Sequence, residues 1–128
     1  MGSIIFHGTK EIGNIKFAIT RDEQRKGLMN VDWPPPLMVF PYKKASIRKF
    51  WMKDTPSPLD IIFCHANKVI YIDYGVPFNE TRVGPDRPCD LVIEGPLGFA
   101  EKNGIRVGSK VRAKFARDEL IKILLIKD

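Results

Sequence analysis

The stretch FWMKDTPSPLDIIF, residues Phe50–Phe63, decides the predicted fold of this chain. It joins a β-favouring aromatic segment to a nearly continuous apolar run, Leu59–His65, through the break DTPSP at Asp54–Pro58. Two prolines and several turn-forming residues interrupt any regular element there, because proline cannot donate to a β-ladder. An apolar run of strand length that follows such a break predicts a central strand buried on both faces.

The segments around this stretch extend the β pattern. Lys68–Tyr74 follows Leu59–His65 across the short turn Ala66-Asn67, so we predict a β-hairpin there. A basic turn is predicted at Pro41–Ser46. Further strands are predicted at Ile15–Thr20, Leu37–Phe40, Ile47–Lys53, Asp90–Glu94 and Lys110–Ala116.

Two short helices complete the prediction, at about 21–29 and 97–103. Thr20 followed three residues later by Glu23 is a capping-box pattern, which marks the start of the first helix. The tail Glu119–Lys127 is ambiguous: its alternating isoleucines and leucine favour a final strand, while Asp118 could instead cap a helix. The pattern therefore predicts a mainly β, α+β fold.

Length and composition limit the class of protein. A chain of 128 residues with 44% hydrophobic residues is expected to form one domain, 1–128, with a core of its own. The apolar runs are far shorter than the roughly 20 residues that span a bilayer, so no membrane span is expected. The first residues lack a signal-peptide pattern, which leaves a cytoplasmic location open, or an exported one if a leader is removed.

The formal net charge of +6 favours acidic partners, namely nucleic acid, an anionic ligand or an anionic surface, although a soluble lysine-rich surface is the preferred explanation. Cys64 and Cys89 have no redox or zinc spacing, and whether they pair cannot be judged from spacing. His7 and His65 have no ligand spacing either. We therefore expect no metal and no cofactor.

A series of motifs in fixed order carries a family resemblance over about 15–111. They are RKGLM at 25–29, MVF at 38–40, FWMKDT at 50–55, PLDIIF at 58–63, VIEGPLG at 92–98 and GIRVGSKV at 104–111. This series resembles the DUF192 family of uncharacterised small proteins. The resemblance implies a compact, barrel-like mixed sheet, and it leaves an export leader open because many members carry one. It implies no activity.

The chain departs from the family pattern at two positions and at its end. Asp54 stands where the family usually has Asn, and Ser109 stands where it often has Asp. The tail 116–128 extends past the usual family end, which makes it a C-terminal extension.

Aromatic and charged residues in the opening stretch form the candidate site. Because alternate strand residues face opposite sides, Trp51 and Lys53 should share one face while Phe50 and Met52 fill the core. A tryptophan beside a lysine can hold a sugar or a base whose anionic group meets the ammonium. The candidate ligand-binding residues are Trp51, Lys53, Asp54, Thr55, Asp60, Glu94, Arg21 and Arg25.

Several of these residues could have a structural role instead of binding a ligand. Asp54 and Thr55 could simply close the turn, Asp60 could pair with Lys53 or an arginine, and Glu94 could pair with the helix arginines. Arg21 and Arg25 share one helix face and could clamp a carboxylate or phosphate. The interpretation we prefer is a binding module for a small polar or anionic ligand.

Two other functions remain open from the sequence. Asp60 and Glu94 could form the acid–base pair of a hydrolytic enzyme, with their separation unknown. The positive charge could instead serve a protein- or nucleic-acid-interaction domain. No catalytic residue is assigned.

Overall fold

The computed structural model describes residues 2–6, 10–13 and 15–126. The strands are β1 (Ser3–Phe6), β2 (Lys16–Phe17), β3 (Met38–Ile47), β4 (Leu59–His65), β5 (Lys68–Gly75), β6 (Pro88–Pro96) and β7 (Val111–Lys114). The helices are α1 (Arg21–Lys26), α2 (Phe99–Lys102) and α3 (Arg117–Leu124). The predicted mainly β, α+β class is confirmed.

The strands form two separate sheets. One has five strands in the order β2-β3-β6-β4-β5, with β2 parallel to β3 and the other neighbours antiparallel. The other pairs β1 with β7, antiparallel. The expectation of a barrel-like sheet is wrong, because across the described ranges the two sheets do not close on each other.

The centre of the large sheet confirms the reading of the opening stretch. β4 lies between β6 and β5 and covers the predicted residues. Ile61 and Phe63 pack into one core cluster, and Ile62 and Cys64 pack into the other, on the opposite face. Side chains buried on both faces explain the continuous apolar run, because neither face of this strand meets water.

The predicted hairpin is confirmed. β4 and β5 pair antiparallel, with His65 opposite Lys68. Ala66 and Asn67 connect them with φ of 49° and 64°. Positive φ at both central residues is the turn geometry that matches the twist of the flanking strands.

The predicted turn Pro41–Ser46 and strand Ile47–Lys53 are wrong. β3 runs continuously over Met38–Ile47, with an irregularity in its pairing to β6 between Pro41 and Ser46. Such an irregularity accommodates a proline inside a strand, since proline has no N–H to donate. Residues 48–53 are irregular apart from one bridge between Phe50 and Val83.

The capping box of α1 is confirmed in both directions. The Glu23 N–H donates to Thr20 Oγ1 at 3.1 Å, and the Thr20 N–H donates to Glu23 Oε1 at 3.0 Å. The helix ends at Lys26, earlier than predicted, because Gly27 has φ of +46°. That backbone conformation does not continue a helix. α2 is likewise shorter than the predicted 97–103.

The tail forms a helix instead of the favoured strand. The Ala116 N–H donates to the Glu119 carboxylate at 2.7 Å at the start of α3, and Lys122 pairs with Glu23 of α1 at 3.0 Å. The alternating isoleucines misled the prediction because local hydrogen bonds and this contact decide the segment. Lys127, the end of the predicted strand, lies outside the described residues.

None of the helices in the described ranges combines the length and apolar content needed to cross a membrane.

Candidate functional site

A cavity of about 670 Å³ lies between α1, the end of β3 and the irregular segment 48–55. Among the residues that the structure describes, those lining the cavity include two acidic residues, Asp54 and Glu94, and a larger number of basic ones. We call it the basic cavity. The basic side chains in its lining are Arg21, Arg25, Lys26, Arg48, Lys49, Lys53 and Arg82.

The structure brings most of the predicted site residues together here. Seven of the eight line the basic cavity: Arg21, Arg25, Trp51, Lys53, Asp54, Thr55 and Glu94. Only Asp60 lies elsewhere. The sequence analysis therefore selected residues that lie together around one cavity, although it did not identify which of them hold the surrounding loops in place.

Trp51 lies under two cations. The Arg82 guanidinium is 4.3 Å from the ring centroid and the Lys53 ammonium is 5.4 Å from it. Met52 is 2% exposed and belongs to the core, as predicted. Phe50 is only partly buried and lines the basic cavity beside Trp51 and Lys53, so the predicted alternation does not hold for Phe50. The Trp51 ring thus holds two positive charges at the cavity wall through cation–π attraction.

Asp54 and Thr55 organise the rim of the basic cavity. Thr55 Oγ1 donates to the Lys53 carbonyl at 2.9 Å, so its role as a turn-closing residue is supported. Asp54 has φ of 53°, and its carbonyl accepts from the Asn30 N–H at 2.8 Å. The Thr55 carbonyl accepts from the Phe78 N–H at 3.1 Å.

Three loops therefore meet at this rim in left-handed conformations that non-glycine residues rarely adopt. Asn30 has φ of 59° and Phe78 has φ of 64°, beside the 53° of Asp54. A bulky aromatic residue in this region is a genuine outlier, and it persists only where its surroundings hold it. Backbone strain of this kind is concentrated at functional sites.

Asp60 is a structural residue. Its Oδ2 accepts from the Gly98 N–H at 3.1 Å and the Ala100 N–H at 2.9 Å, at the start of α2. In the β4–β6 pairing Asp60 lies opposite Gly95, while Glu94 lies opposite Ile61. The Asp60 and Glu94 side chains therefore point to opposite faces of the sheet. The proposed acid–base pair is not formed, and Asp60 does not pair with Lys53.

Glu94 is the buried acid of the basic cavity. It lies on β6, the central strand, between Met38 and Ile61, and is 4% exposed. Burial raises the pKa of its carboxyl to about 8. Within the described part of the chain it makes no hydrogen bond and no ion pair, so the predicted pairing with Arg21 or Arg25 is wrong.

Arg48, Lys49 and Arg82 also line the basic cavity, and the sequence reading did not select them. The Arg48 guanidinium lies 3.8 Å from the ring centroid of Tyr42, and its Nη2 donates to the Lys44 carbonyl at 2.6 Å. Its Nε is buried and has no hydrogen-bond partner among the described residues. Arg48 and Lys49 stand just before the FWMK motif, which is a weak sequence signal, and Arg82 has no such signal.

Most of the cations in the cavity are not neutralised. Lys49 pairs with Asp86 at 2.7 Å. The other basic lining residues make no ion pair with any part of the chain that the structure describes. Because Glu94 is largely protonated below its raised pKa, the cavity carries a strong excess of positive charge at neutral pH.

Within the described ranges, the two cysteines and His65 form no second site. Cys64 and Cys89 are both free and buried, and burial raises the pKa of each thiol. His65 Nδ1 lies 3.5 Å from Asp90, and His7 lies outside the described residues. Among the residues with defined positions, no cluster could hold a metal ion.

Comparisons with known proteins agree with this fold. A solved structure from Novosphingobium aromaticivorans, of a protein of unknown function, is 33% identical, with a TM-score of 0.78 over 86% of this chain and 83% of the other. The solved structure of a Sinorhizobium meliloti protein, described as a candidate transcription regulator, is 22% identical, with a TM-score of 0.76 over 88% of this chain and 91% of the other. At this level of identity the likeness shows a shared fold and nothing more.

The search of curated proteins gives no match. The sequence model of DUF192, described as "Uncharacterized ACR", matches residues 4–113, a wider span than the expected 15–111. Helix α3 lies beyond the matched residues. The chain belongs to the DUF192 family.

Proposed function

We propose that this protein is a binding module for a small anionic ligand, which it holds in the basic cavity. The observation that carries the proposal is the excess of cations around a cavity of about 670 Å³, most of them without an ion-pair partner among the described residues. That volume lies within the range of roughly 300–1,000 Å³ typical of small-molecule sites. Like charges gathered on one surface repel, so an anion that joins them gains electrostatic energy.

The arrangement favours ionic recognition over stacking. Arg82 and Lys53 already lie over the Trp51 ring, so an incoming sugar or base would have to displace a cation to reach that face. Arg21 and Arg25 are exposed at the mouth of the cavity, where two guanidinium groups can hold a phosphate or carboxylate. Trp51 then acts as a support for the cations and as a fluorescent reporter.

A titration with simple anions tests this proposal. Binding of inorganic phosphate, pyrophosphate and citrate is followed by Trp51 fluorescence in a Trp33→Phe background and by the melting temperature. We expect saturable quenching and a higher melting temperature, both weakened by salt. Glycerol is the uncharged control. If no anion produces a saturable change, the proposal fails.

Two double variants that remove the same number of charges distinguish anion binding in the cavity from general attraction to a basic protein. Arg21→Gln/Arg25→Gln removes two cations from the cavity mouth, while Arg106→Gln/Arg112→Gln removes two exposed cations elsewhere. We expect the first pair to weaken anion binding about ten-fold or more, since charge-assisted hydrogen bonds contribute about 1.5–3 kcal/mol each. The second pair should change it little. Equal effects would indicate non-specific attraction.

Nucleic-acid binding is the second candidate, because a neighbouring groove extends the positive surface. That groove shares Arg21 and Arg48 with the basic cavity and adds Lys43, Lys44 and Lys122. Gel shifts of single-stranded oligonucleotides at increasing salt discriminate this function, because binding to phosphates weakens steeply with salt. Tight, steeply salt-dependent shifts, with no response to small anions, would favour it.

A further inference from the structure

Two buried polar groups in the basic cavity lack hydrogen-bond partners among the residues that the structure defines. Arg48 Nε is a buried atom with no partner in the described part of the chain. Glu94, a residue that is 4% exposed, makes no hydrogen bond with the described residues. In folded proteins the great majority of buried polar groups are hydrogen-bonded, so each exception needs an explanation. Both residues line the same cavity, which suggests that one bound molecule satisfies both groups.

The two groups require different chemistry from that molecule. Arg48 Nε is a donor only, so it needs an acceptor, and the cations around it favour an anionic one. Glu94 accepts hydrogen bonds when ionised and can also donate one when protonated. An ammonium group would suit an ionised Glu94, but the surrounding cations repel it. A hydroxyl group both donates and accepts, so it suits either form of the carboxyl.

We infer that the basic cavity binds a small polyhydroxylated anion, of the sugar-phosphate or sugar-acid class. Its anionic group contacts Arg48 and the neighbouring cations, and one of its hydroxyl groups hydrogen-bonds to Glu94. The inference rests on the proposed function and adds a specificity to it: Glu94 distinguishes hydroxylated anions from simple ones. The cations give affinity for any anion of suitable size, whereas the buried carboxyl gives selectivity.

Matched probes separate charge from hydroxyl recognition. Glucose 6-phosphate is compared with methyl phosphate, which has the anion without the hydroxyl groups. Gluconate is compared with acetate in the same way, and the two pairs distinguish a phosphate ligand from a carboxylate ligand. Glucose alone has the hydroxyl groups without the charge. Affinities are measured by calorimetry at pH 7 and by Trp51 fluorescence in the Trp33→Phe background.

We expect at least one hydroxylated anion to bind the wild-type protein about five-fold or more tightly than its matched simple anion, the ratio that one hydrogen bond supplies. Glu94→Gln keeps hydrogen-bonding groups of similar shape and should retain this preference. Glu94→Met removes them and should reduce the ratio to about one, while methyl phosphate still binds. Asp60→Asn is the control carboxyl, on the opposite face of the sheet.

The outcomes for the wild-type protein decide the inference even if a variant does not fold. Equal affinity within both matched pairs overturns hydroxyl recognition and leaves anion binding intact. No binding of any anion overturns both proposals. Binding of glucose as tight as that of glucose 6-phosphate contradicts the anionic site. An unchanged preference in a folded Glu94→Met variant shows that another residue contacts the hydroxyl group, and this also overturns the assignment.

Discussion

Replacing Glu94 with glutamine should stabilise the protein, and the gain should grow with pH. The carboxyl is buried on the central strand, and its pKa is raised from about 4.5 to about 8 by loss of solvation. Below pH 4.5 it is protonated in both the folded and the unfolded chain and contributes no pH dependence. Above that pH the unfolded chain releases the proton while the folded chain retains it, so stability falls as pH rises.

The size of the effect follows from the shift in pKa. One pKa unit corresponds to 1.36 kcal/mol, so the shift from about 4.5 to about 8 amounts to about 5 kcal/mol. The loss of stability is spread over the range between these two pKa values and is complete above pH 8, where the folded carboxyl also ionises. At pH 7 about half or more of the loss should already be present. Glutamine has no charge and avoids it.

Urea denaturation followed by circular dichroism measures this difference. The free energy of unfolding of Glu94→Gln minus that of the wild type is determined at pH 4.5, 7 and 9. Titrating groups that do not interact with Glu94, such as Glu23, are common to both proteins and cancel in the difference. Glu80→Gln, on an exposed loop, is the control for removal of a charge. A difference that does not change between pH 4.5 and 9 would refute the reasoning about Glu94.

Three further substitutions test the framework around the site. Gly27→Ala should lower the free energy of unfolding by about 1–3 kcal/mol, because the φ of +46° is strained for alanine. Gly13→Ala is the control: its new Cβ would have no atom within 4 Å, so the free energy of unfolding should change by less than about 0.5 kcal/mol. Asp60→Ala should destabilise the protein by about 1–3 kcal/mol by leaving two N–H groups of α2 unpaired, with anion affinity unchanged in the titration. Lys122→Ala should cost less than about 1 kcal/mol, because its ion pair with Glu23 is largely exposed, and urea denaturation at low and high salt checks this.

The sequence predicted those elements of the fold whose signals are local. The capping box at Thr20 and the turn at Ala66-Asn67 are both decided by a few neighbouring residues, and both are confirmed. The strand through Pro41 was missed because proline and lysines suggest a turn, while pairing with β6 decides the segment. The tail became a helix because a local hydrogen bond at its start combines with contacts to α1 and β3, and these contacts are not contained in any local pattern.

The sequence indicated several of the residues that line the cavity, but it did not indicate what each of them does there. An aromatic and charged cluster next to a proline-rich turn indicated residues that the structure gathers around one cavity. Whether a carboxyl enters the cavity depends on which face of the sheet its residue occupies, and successive residues of a strand alternate between the two faces. Asp60 and Glu94 lie on adjacent strands, one pairing step apart, so they face opposite sides of the sheet. A shift of one residue in that pairing would exchange them, and the sequence alone does not give the pairing.

A buried carboxyl that destabilises the fold needs a compensating function. Because burial raises the pKa of Glu94, glutamine and methionine at position 94 should both give a more stable protein at neutral pH. The two replacements differ in hydrogen bonding, so they separate stability from recognition. We expect both variants to be more stable than the wild type at pH 9, and only Glu94→Gln to retain preference for hydroxylated anions. A stabilised Glu94→Met variant that has lost this preference would show that the fold carries the acid for recognition.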